Sequence, residues 1–457
     1  MKQVRTVEFE NPAWVASGVS TDSRSTKRGD LFFALRGETF DGHNFISQAV
    51  QSWASGIVVD SRWAESNSAM MASLHVPKFV VEDTTQALGQ LASVYRSKFK
   101  IPLIAVGGSN GKTTTKEMIK AVLSQKFNVL ATEGNLNNHI GVPQTLFRLE
   151  KKHRVAVVEV GTNHPGEIAY LCGILQPTHG LITNIGHEHL EFFGSIDGVA
   201  KAECELFEHL KETAGTAFVN TKDIRLKQRS AGMKKKITYG LGARSAIVRG
   251  SIRRWSNDAR AVVTVKGSSG KSFEIDLGVA GEHNAANAVA AVAVGLTFGV
   301  PARKIRTALE TFRGVGKRTQ LVERNGVTIL NDVYNSNPDS VLAGLATLKM
   351  LKNSGKKIAV LADMLELGPE SESAHRAVGK ALEKFGVEYL LTFGALSNFT
   401  HEVAKVKFKF HFEQKNLLSE YLLEILGRGD AVLIKGSRGM KMDDVVTVLN
   451  ERLKKAA

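Results

Sequence analysis

Residues 101–125 read IPLIAVGGSNGKTTTKEMIKAVLSQ, and the way this stretch divides decides the fold. Residues 101–106 are a short apolar run, the pattern of a strand covered on both faces in a parallel sheet. After Thr113, the residues Met118, Ile119, Val122 and Leu123 recur at helical spacing. Residues 107–112 must therefore turn the chain from strand into helix. Gly107, Gly108 and Gly111, with Ser109 and Asn110 between them, let backbone N–H groups come close to phosphate oxygens. The helix start adds unpaired donors and its positive dipole end. Lys112 adds a point charge, and Thr113, followed by Thr114, places a hydroxyl within reach of a magnesium ion. An ordinary glycine-rich turn with an exposed lysine would not need strand, glycines, Lys-Thr and amphipathic helix in that order.

The 457 residues around this cradle exceed what one hydrophobic core organises, so three domains of about 100–200 residues are expected. Sixty Lys plus Arg against forty-five Asp plus Glu give a net charge of +15. Nucleic acid, an anionic membrane surface or polyanionic small substrates would all suit that charge. The last is favoured, because there is no basic tail, no zinc-type Cys/His cluster and no aromatic stacking platform. The densest basic stretch, residues 222–236, reads as a solvated surface segment. Two cysteines, Cys172 and Cys204, are too few for a disulfide framework and fit a reducing cytoplasm. The opening MKQVRTVEFE has no apolar signal region, and the most apolar window, 285–300, is alanine-rich and broken by Asn287, Gly295 and Thr297, so no membrane insertion is expected.

Residues 1–98 read as a small mixed α/β domain with strand-like LFFAL (31–35), GIVV (56–59) and FVV (79–81), followed by a helix over 83–99. Thr21-Asp22-Ser23-Arg24 and the 37–43 loop, with Asp41 and His43, place hydroxyls, an arginine and glycines where a phosphate-bearing ligand could sit. The same residue types also serve as turn formers. The central domain, 99–314, continues as a parallel sheet, with VAVVEV (155–160) and GLITNI (180–185) ending in polar residues. Ligands of such sheets gather beyond the strand C-termini. Glu159 and the Gly186-His187-Glu188-His189 loop therefore point to the rim that carries Lys112. A carboxylate and an imidazole there suit a magnesium shell, though such an ion takes nitrogen less readily; His187 reads as a loop histidine without metal.

TEGNLNNHIGVP (132–143), with Asn135, Asn138 and His139, is a loop suited to hydrogen-bonding phosphate or substrate. GEHNAAN (281–287) opens an alanine-rich helix on which Asn284 and Asn287 share a face. Reading a base edge and starting a solvated helix explain that pair equally well. Residues 315–457 alternate strands and helices as a second, Rossmann-like doubly wound sheet. Polar clusters follow its strands: Asp332 to Asn337, DMLELG (363–368), and Lys435-Gly436-Ser437-Arg438.

The phosphate loop is one residue shorter than the usual form, with Val106 where its first glycine would stand. This G-x-x-G-K-T-T version resembles the Mur ligases of bacterial cell-wall synthesis and the related folylpolyglutamate synthases. GGSNGKTTTKE, TEGNLNNHIGVP, NDVYNSNP and DMLELG carry the resemblance over residues 21–438. DMLELG and the TDSR loop with its DGH point to the branch adding D-alanyl-D-alanine to UDP-N-acetylmuramoyl-tripeptide; no D-N-P-R motif of the diaminopimelate-adding branch is present.

The resemblance implies a monomeric cytoplasmic ligase using ATP and Mg2+. Ser23, Arg24, Asp41 and His43 would hold UDP. Lys112 would bind ATP phosphates, with Thr113, Glu159 and His189 around magnesium, and Asn284 and Asn287 would contact adenine. Arg318 would reach the phosphates, Asp332 the ribose and Tyr334 the base. Asn335, Asn337, Lys435, Ser437 and Arg438 would lie toward the peptide. Many Mur ligases carry a carbamylated lysine four residues before the aromatic of A-K-x-x-x-F/Y. Here that position, counted back from Phe207, is Glu203, and Lys201 lies two earlier, so Glu203 is expected to supply the carboxylate itself. The rivals are another Mur or folate ligase with the same engine, a P-loop switch or nucleic-acid motor that hydrolyses ATP without an acceptor, and a catalytically silent binding module.

Overall fold

The computed structural model describes residues 15–37 and 39–455; the opening segment read above for a signal, and Glu38, lie outside the described residues. The chain folds into two compact units. One is built from the chain up to Ile101 with Thr132–Lys151 and Tyr170–Gln176, the other from Pro102–Ala131, Lys152–Ala169 and the chain from Pro177 onward.

The first unit is organised by a parallel sheet of β1 (Gly18–Ser20), β2 (Asp30–Phe33), β3 (Gly56–Asp60) and β4 (Lys78–Val81), in that order. LFFAL is apolar throughout because both faces are covered. Phe32 and Ala34 pack with Ile46, Ile57 and Val59 on one side, while Leu31, Phe33 and Leu35 pack with Val58 and Leu88 on the other. The helix Thr84–Ser97 starts where the Asp83 carboxylate accepts the N–H groups of Thr85 and Gln86. Near its end, buried Arg96 donates to the carbonyls of Leu175, Phe99 and Ile101, tying Tyr170–Gln176 to this unit.

The second unit holds two sheets. The first contains, in chain order, β5 (Leu103–Gly107), β6 (Val129–Ala131), β7 (Val155–Glu159), β8 (His179–Ile182), β9 (Thr216–Asn220), β10 (Lys236–Leu241), β11 (Val248–Trp255), β12 (Arg260–Lys266) and β13 (Ser272–Ala280). Among the described residues they are ordered β13-β12-β11-β10-β9-β8-β5-β7-β6. Pairing is parallel from β6 to β11, and β12 and β13 extend the sheet antiparallel. The phosphate-loop strand β5 lies between β7 and β8, which is the point where connections diverge and ligands collect. The helix Lys112–Leu123 packs its Met118, Ile119, Val122 and Leu123 onto Glu282–Thr297. Gly295 of that second helix permits close approach: a Cβ there would come within 2.5 Å of Val122 Cγ1.

The other sheet contains β14 (Gln320–Arg324), β15 (Val327–Asp332), β16 (Lys357–Ala362), β17 (Tyr389–Phe393), β18 (Phe408–Phe412) and β19 (Ala431–Lys435), ordered β14-β15-β19-β16-β17-β18. All pairs are parallel except the β14–β15 hairpin. The expected α/β class and doubly wound architecture are therefore present. No described helix is long and apolar enough to cross a membrane. The 222–236 stretch is mainly surface, as expected, but its end runs into β10.

Candidate functional site

The chain leaves β5 at Gly107 and enters the helix at Lys112. Gly108 and Gly111 adopt φ of 113° and 82°, where a side chain is strained. Space forbids one as well: a Cβ on Gly108 would run into the Thr183 hydroxyl, and one on Gly111 would lie 2.8 Å from Asn287 Oδ1. The segment after β8 buttresses the loop. Ser109 N–H donates to Asn184 O at 2.9 Å, Thr183 Oγ1 donates to Asn110 O at 2.6 Å, and Gly186 N–H donates to Ser109 Oγ at 2.8 Å.

Three carboxylates converge on Lys112. Its Nζ lies 3.2 Å from Glu188 Oε2 and 3.9 Å from Glu203 Oε1, and Glu159 ends the neighbouring β7 almost fully buried. Burial disfavours the ammonium, but Glu188, Glu203 and Glu159 outweigh it and hold Lys112 above the usual lysine range. Glu203, 1% exposed, comes from the helix Ile196–Glu203 and accepts the Gly108 N–H at 2.7 Å. Burial pushes its carboxyl up to about 8, with Lys112 opposing the rise and Glu188 adding to it. Lys201, two residues earlier, is exposed. Glu188 was not singled out in the sequence reading; its place in the loop that follows β8, between two histidines, was the available signal.

The second sheet reaches this rim. Asn337 caps the helix Pro338–Met350 and donates from Nδ2 to Asn110 Oδ1 at 3.0 Å. Asp339 accepts the His187 N–H at 2.8 Å and lies 3.0 Å from its Nδ1. His189 Nδ1 lies 2.6 Å from Glu366 Oε2 in DMLELG. Asp332 and Lys435, read for ribose and peptide respectively, form one pair at 2.7 Å, with Lys435 buried and Asp332 partly so, and Lys435 also donates to Asn335 O at 2.9 Å. Burial opposes ionisation of Asp332, yet Lys435 outweighs it and keeps its carboxyl below the ordinary range. Arg318 stacks over Tyr334 at 3.7 Å from the ring centroid, and Arg438 lies 5.9 Å from the same ring. Ser437 Oγ accepts the Leu365 N–H at 2.9 Å.

A cavity of about 360 Å³ opens beyond the ends of β9 and β10, lined in part by Asn220, Tyr239, Glu282, His283, Ala343 and Ala346. Asn284 and Asn287 do not line it. They bond to each other at 3.3 Å, and Asn287 packs against Gly111, so this pair lies against the phosphate loop.

In the first unit, Ser23 Oγ donates to Gln48 Oε1 at 2.8 Å. Exposed Arg24 folds onto Asp22, whose carboxyl is lowered chiefly by that hydrogen bond. His43 is buried, with Nδ1 2.5 Å from Asp41 Oδ1 and Nε2 accepting the Asp60 N–H at 3.1 Å. Arg36, also absent from the sequence reading, bonds Asp60 at 2.7 Å and lies 3.4 Å from Asp41. Asn135, Asn138 and His139 are exposed, and Asn138 Oδ1 accepts the Gly141 N–H at 2.9 Å at a helix start.

Family descriptions match along the chain: "Mur ligase family, catalytic domain" over residues 15–96, "Mur ligase middle domain" over 106–295, and "Mur ligase, glutamate ligase domain" over 317–438. The UDP-N-acetylmuramoyl-tripeptide–D-alanyl-D-alanine ligases of Bacillus subtilis and Escherichia coli are 35% and 36% identical, over 96% and 97% of this chain and 94% and 96% of theirs. Among solved structures, MurF from Acinetobacter baumannii superposes with a TM-score of 0.86 at 33% identity, covering 95% of this chain and 93% of that one. MurF from Thermotoga maritima in complex with ADP gives 0.83 at 26% identity, covering 96% and 98%.

Proposed function

The chain belongs to the Mur ligase family, and on that basis we propose that it joins D-alanyl-D-alanine to UDP-N-acetylmuramoyl-tripeptide at the expense of ATP, in peptidoglycan precursor synthesis. The observation that carries this reading is its end-to-end likeness to ligases of that name, at 35% and 36% identity.

A carboxylate resists an amine because oxide would have to leave. Moving the γ-phosphoryl group of ATP onto the tripeptide's terminal carboxylate releases ADP and makes phosphate the leaving group. The dipeptide amine then attacks the carbonyl carbon, the C–O bond to phosphate breaks, and the amine gives up a proton. Catalysis of this kind is mostly positioning and charge neutralisation. Lys112 would turn from Glu188 and Glu203 toward the phosphates, over the N–H groups of 107–114. Arg318, held against Tyr334, would approach them from the second sheet, where Asp332 and the rim residues Asn335, Asn337, Lys435, Ser437 and Arg438 lie.

The residues present fit a magnesium ion. Thr113 Oγ1, Glu188 Oε1 and Glu203 Oε1 are buried oxygens with no hydrogen-bond partner among the described residues, and oxygen donors suit that cation. No three His, Cys, Asp or Glu side chains among the described residues form a cage, in keeping with an ion held by one or two carboxylates plus phosphates. When bound, the ion neutralises phosphate charge and aligns the γ-phosphoryl group. Glu203 would supply directly the carboxylate that many Mur ligases make by carbamylation, with Thr113 and Glu159 beside it. His189, its Nδ1 engaged by Glu366, stands next to Glu188.

The three segments 1–98, 99–314 and 315–457 would act as UDP-sugar, ATP and ligase domains of a cytoplasmic monomer. Ser23, Arg24, Asp41 and His43 would serve the UDP, and Asn135, Asn138 and His139 the substrate. Substrate profiling with D-alanyl-D-alanine, meso-diaminopimelate and glutamate tests the assignment. The dipeptide alone should be incorporated; incorporation of either amino acid in its place would move the chain to another branch of the family.

A further inference from the structure

The 186–189 loop that carries Glu188 to Lys112 ends in a backbone conformation that side chains rarely take. His189 is left-handed, at φ 48°, and so is Glu366, at φ 63°, in the loop after β16. Such residues persist where their surroundings over-determine them. Here the two meet: His189 Nδ1 lies 2.6 Å from Glu366 Oε2, and the N–H of Glu191 donates to Glu366 O at 3.3 Å. Gly368 sits so close that a Cβ there would be 3.0 Å from Glu191 Cα. Leu190 and Phe193 share an apolar cluster with Met364 and Leu367. At the other end of the loop, Asp339 binds His187, and a Cβ on Gly186 would lie 2.5 Å from Asp339 Oδ2.

The loop is thus gripped at both ends by the second sheet's module. Glu366 is half exposed, and a polar contact that open to solvent contributes little to folding. What it fixes is the direction of a ring and of the strained turn beside Glu188.

We propose that Glu366 is a positioning residue for ligation. By holding His189 and the backbone at 189–191, it makes the seating of the 363–368 loop a condition for Glu188 and His189 to face the nucleotide phosphates. This deepens the ligase reading and rests on it, and Glu366 acts through His189 rather than on the reacting atoms.

The test compares Glu366→Ala, Glu366→Gln, His189→Ala and the two double variants by dipeptide-dependent ADP release, thermal melting and hydrogen exchange at residues 187–191. Glu366→Ala should melt with the parent and lose about tenfold in kcat, the size of one close polar contact to a charged group, with KM for the UDP-tripeptide unchanged. Exchange at 187–191 should rise while the helix Lys112–Leu123 keeps its protection. In the His189→Ala background, neither change at Glu366 should slow the enzyme further. Should Glu366→Ala not fold, the near-isosteric Glu366→Gln carries the same comparison, its loss vanishing when His189 is absent. Parent-like kcat in both Glu366 variants, unchanged exchange at 187–191, or losses that multiply in the double variants would overturn the proposal. ADP release by the parent without dipeptide would instead sink the ligase reading, and the double-variant comparison would then be scored on that hydrolysis.

Discussion

Glu203 accepts the backbone N–H of Gly108 at 2.7 Å, so a carboxylate from the helix Ile196–Glu203 is tied into the phosphate loop, with its other oxygen 3.9 Å from Lys112. A lysine at this place would need carbon dioxide to become an acid; a glutamate does not. Activity of the parent should be indifferent to bicarbonate. Glu203→Lys should be nearly inactive in degassed buffer and recover as bicarbonate is added. A strong bicarbonate requirement in the parent would refute the direct role of Glu203.

Gly108→Ala should damage the loop twice over, through its φ of 113° and through collision with the Thr183 hydroxyl. Left-handed strain alone costs about 1–3 kcal/mol. Lower melting and loss of binding to a fluorescent ATP analogue are expected, while Gly134→Ala, at φ 55° with nothing near its Cβ, should show the strain without the binding loss. Equal nucleotide affinity in parent and Gly108→Ala would contradict the cradle.

Lys435→Met should leave the largely buried Asp332 with only the Thr319 N–H against its charge, at a cost of about 3 kcal/mol by urea unfolding. Removing both charges with Asp332→Leu should recover much of that loss. A double variant no more stable than Lys435→Met would show that the pair is not the cause.

The same pair sets a direction with pH. Lys435 keeps the folded Asp332 carboxyl below its ordinary value of 3.8, so the unfolded chain takes up this proton first as pH falls. The contribution of Asp332 to stability is whole above that ordinary value and disappears as pH drops through the folded one. Unfolding free energy measured from neutral pH down through this window should fall less steeply in the Asp332→Leu, Lys435→Met variant than in the parent. Identical slopes would assign the acid sensitivity to other carboxylates.

Much of this architecture could be read from residue order because its signals are local. The strand-glycine-helix switch at 101–125 and the polar ends of β7 and β8 are contiguous patterns. The strands β9 to β13 are not among those that the sequence pattern picks out; in β11 the alternation is broken by basic residues such as Arg253 and Arg254 and by a register shift between Ile252 and Arg254. Within the candidate site, the residues that escaped notice are those defined by distant partners. Glu188 matters because it meets Lys112, Arg36 because it meets Asp41 and Asp60, and Glu366 because it meets His189. The asparagines at 284 and 287 are visible as a pair, but only packing reveals that Asn287 faces Gly111 and that neither lines the neighbouring cavity. The joining of Asp332 to Lys435 is likewise a property of adjacent strands β15 and β19, far apart in the chain.

The central claim is that ATP energises a peptide's terminal acid before an amine displaces phosphate. It is tested most directly by labelling that carboxylate with heavy oxygen and weighing the phosphate released with D-alanyl-D-alanine present. The account predicts inorganic phosphate carrying one labelled oxygen, in step with a sugar-nucleotide lengthened by the dipeptide. Unlabelled phosphate, or the same phosphate release with the dipeptide left out, would contradict it.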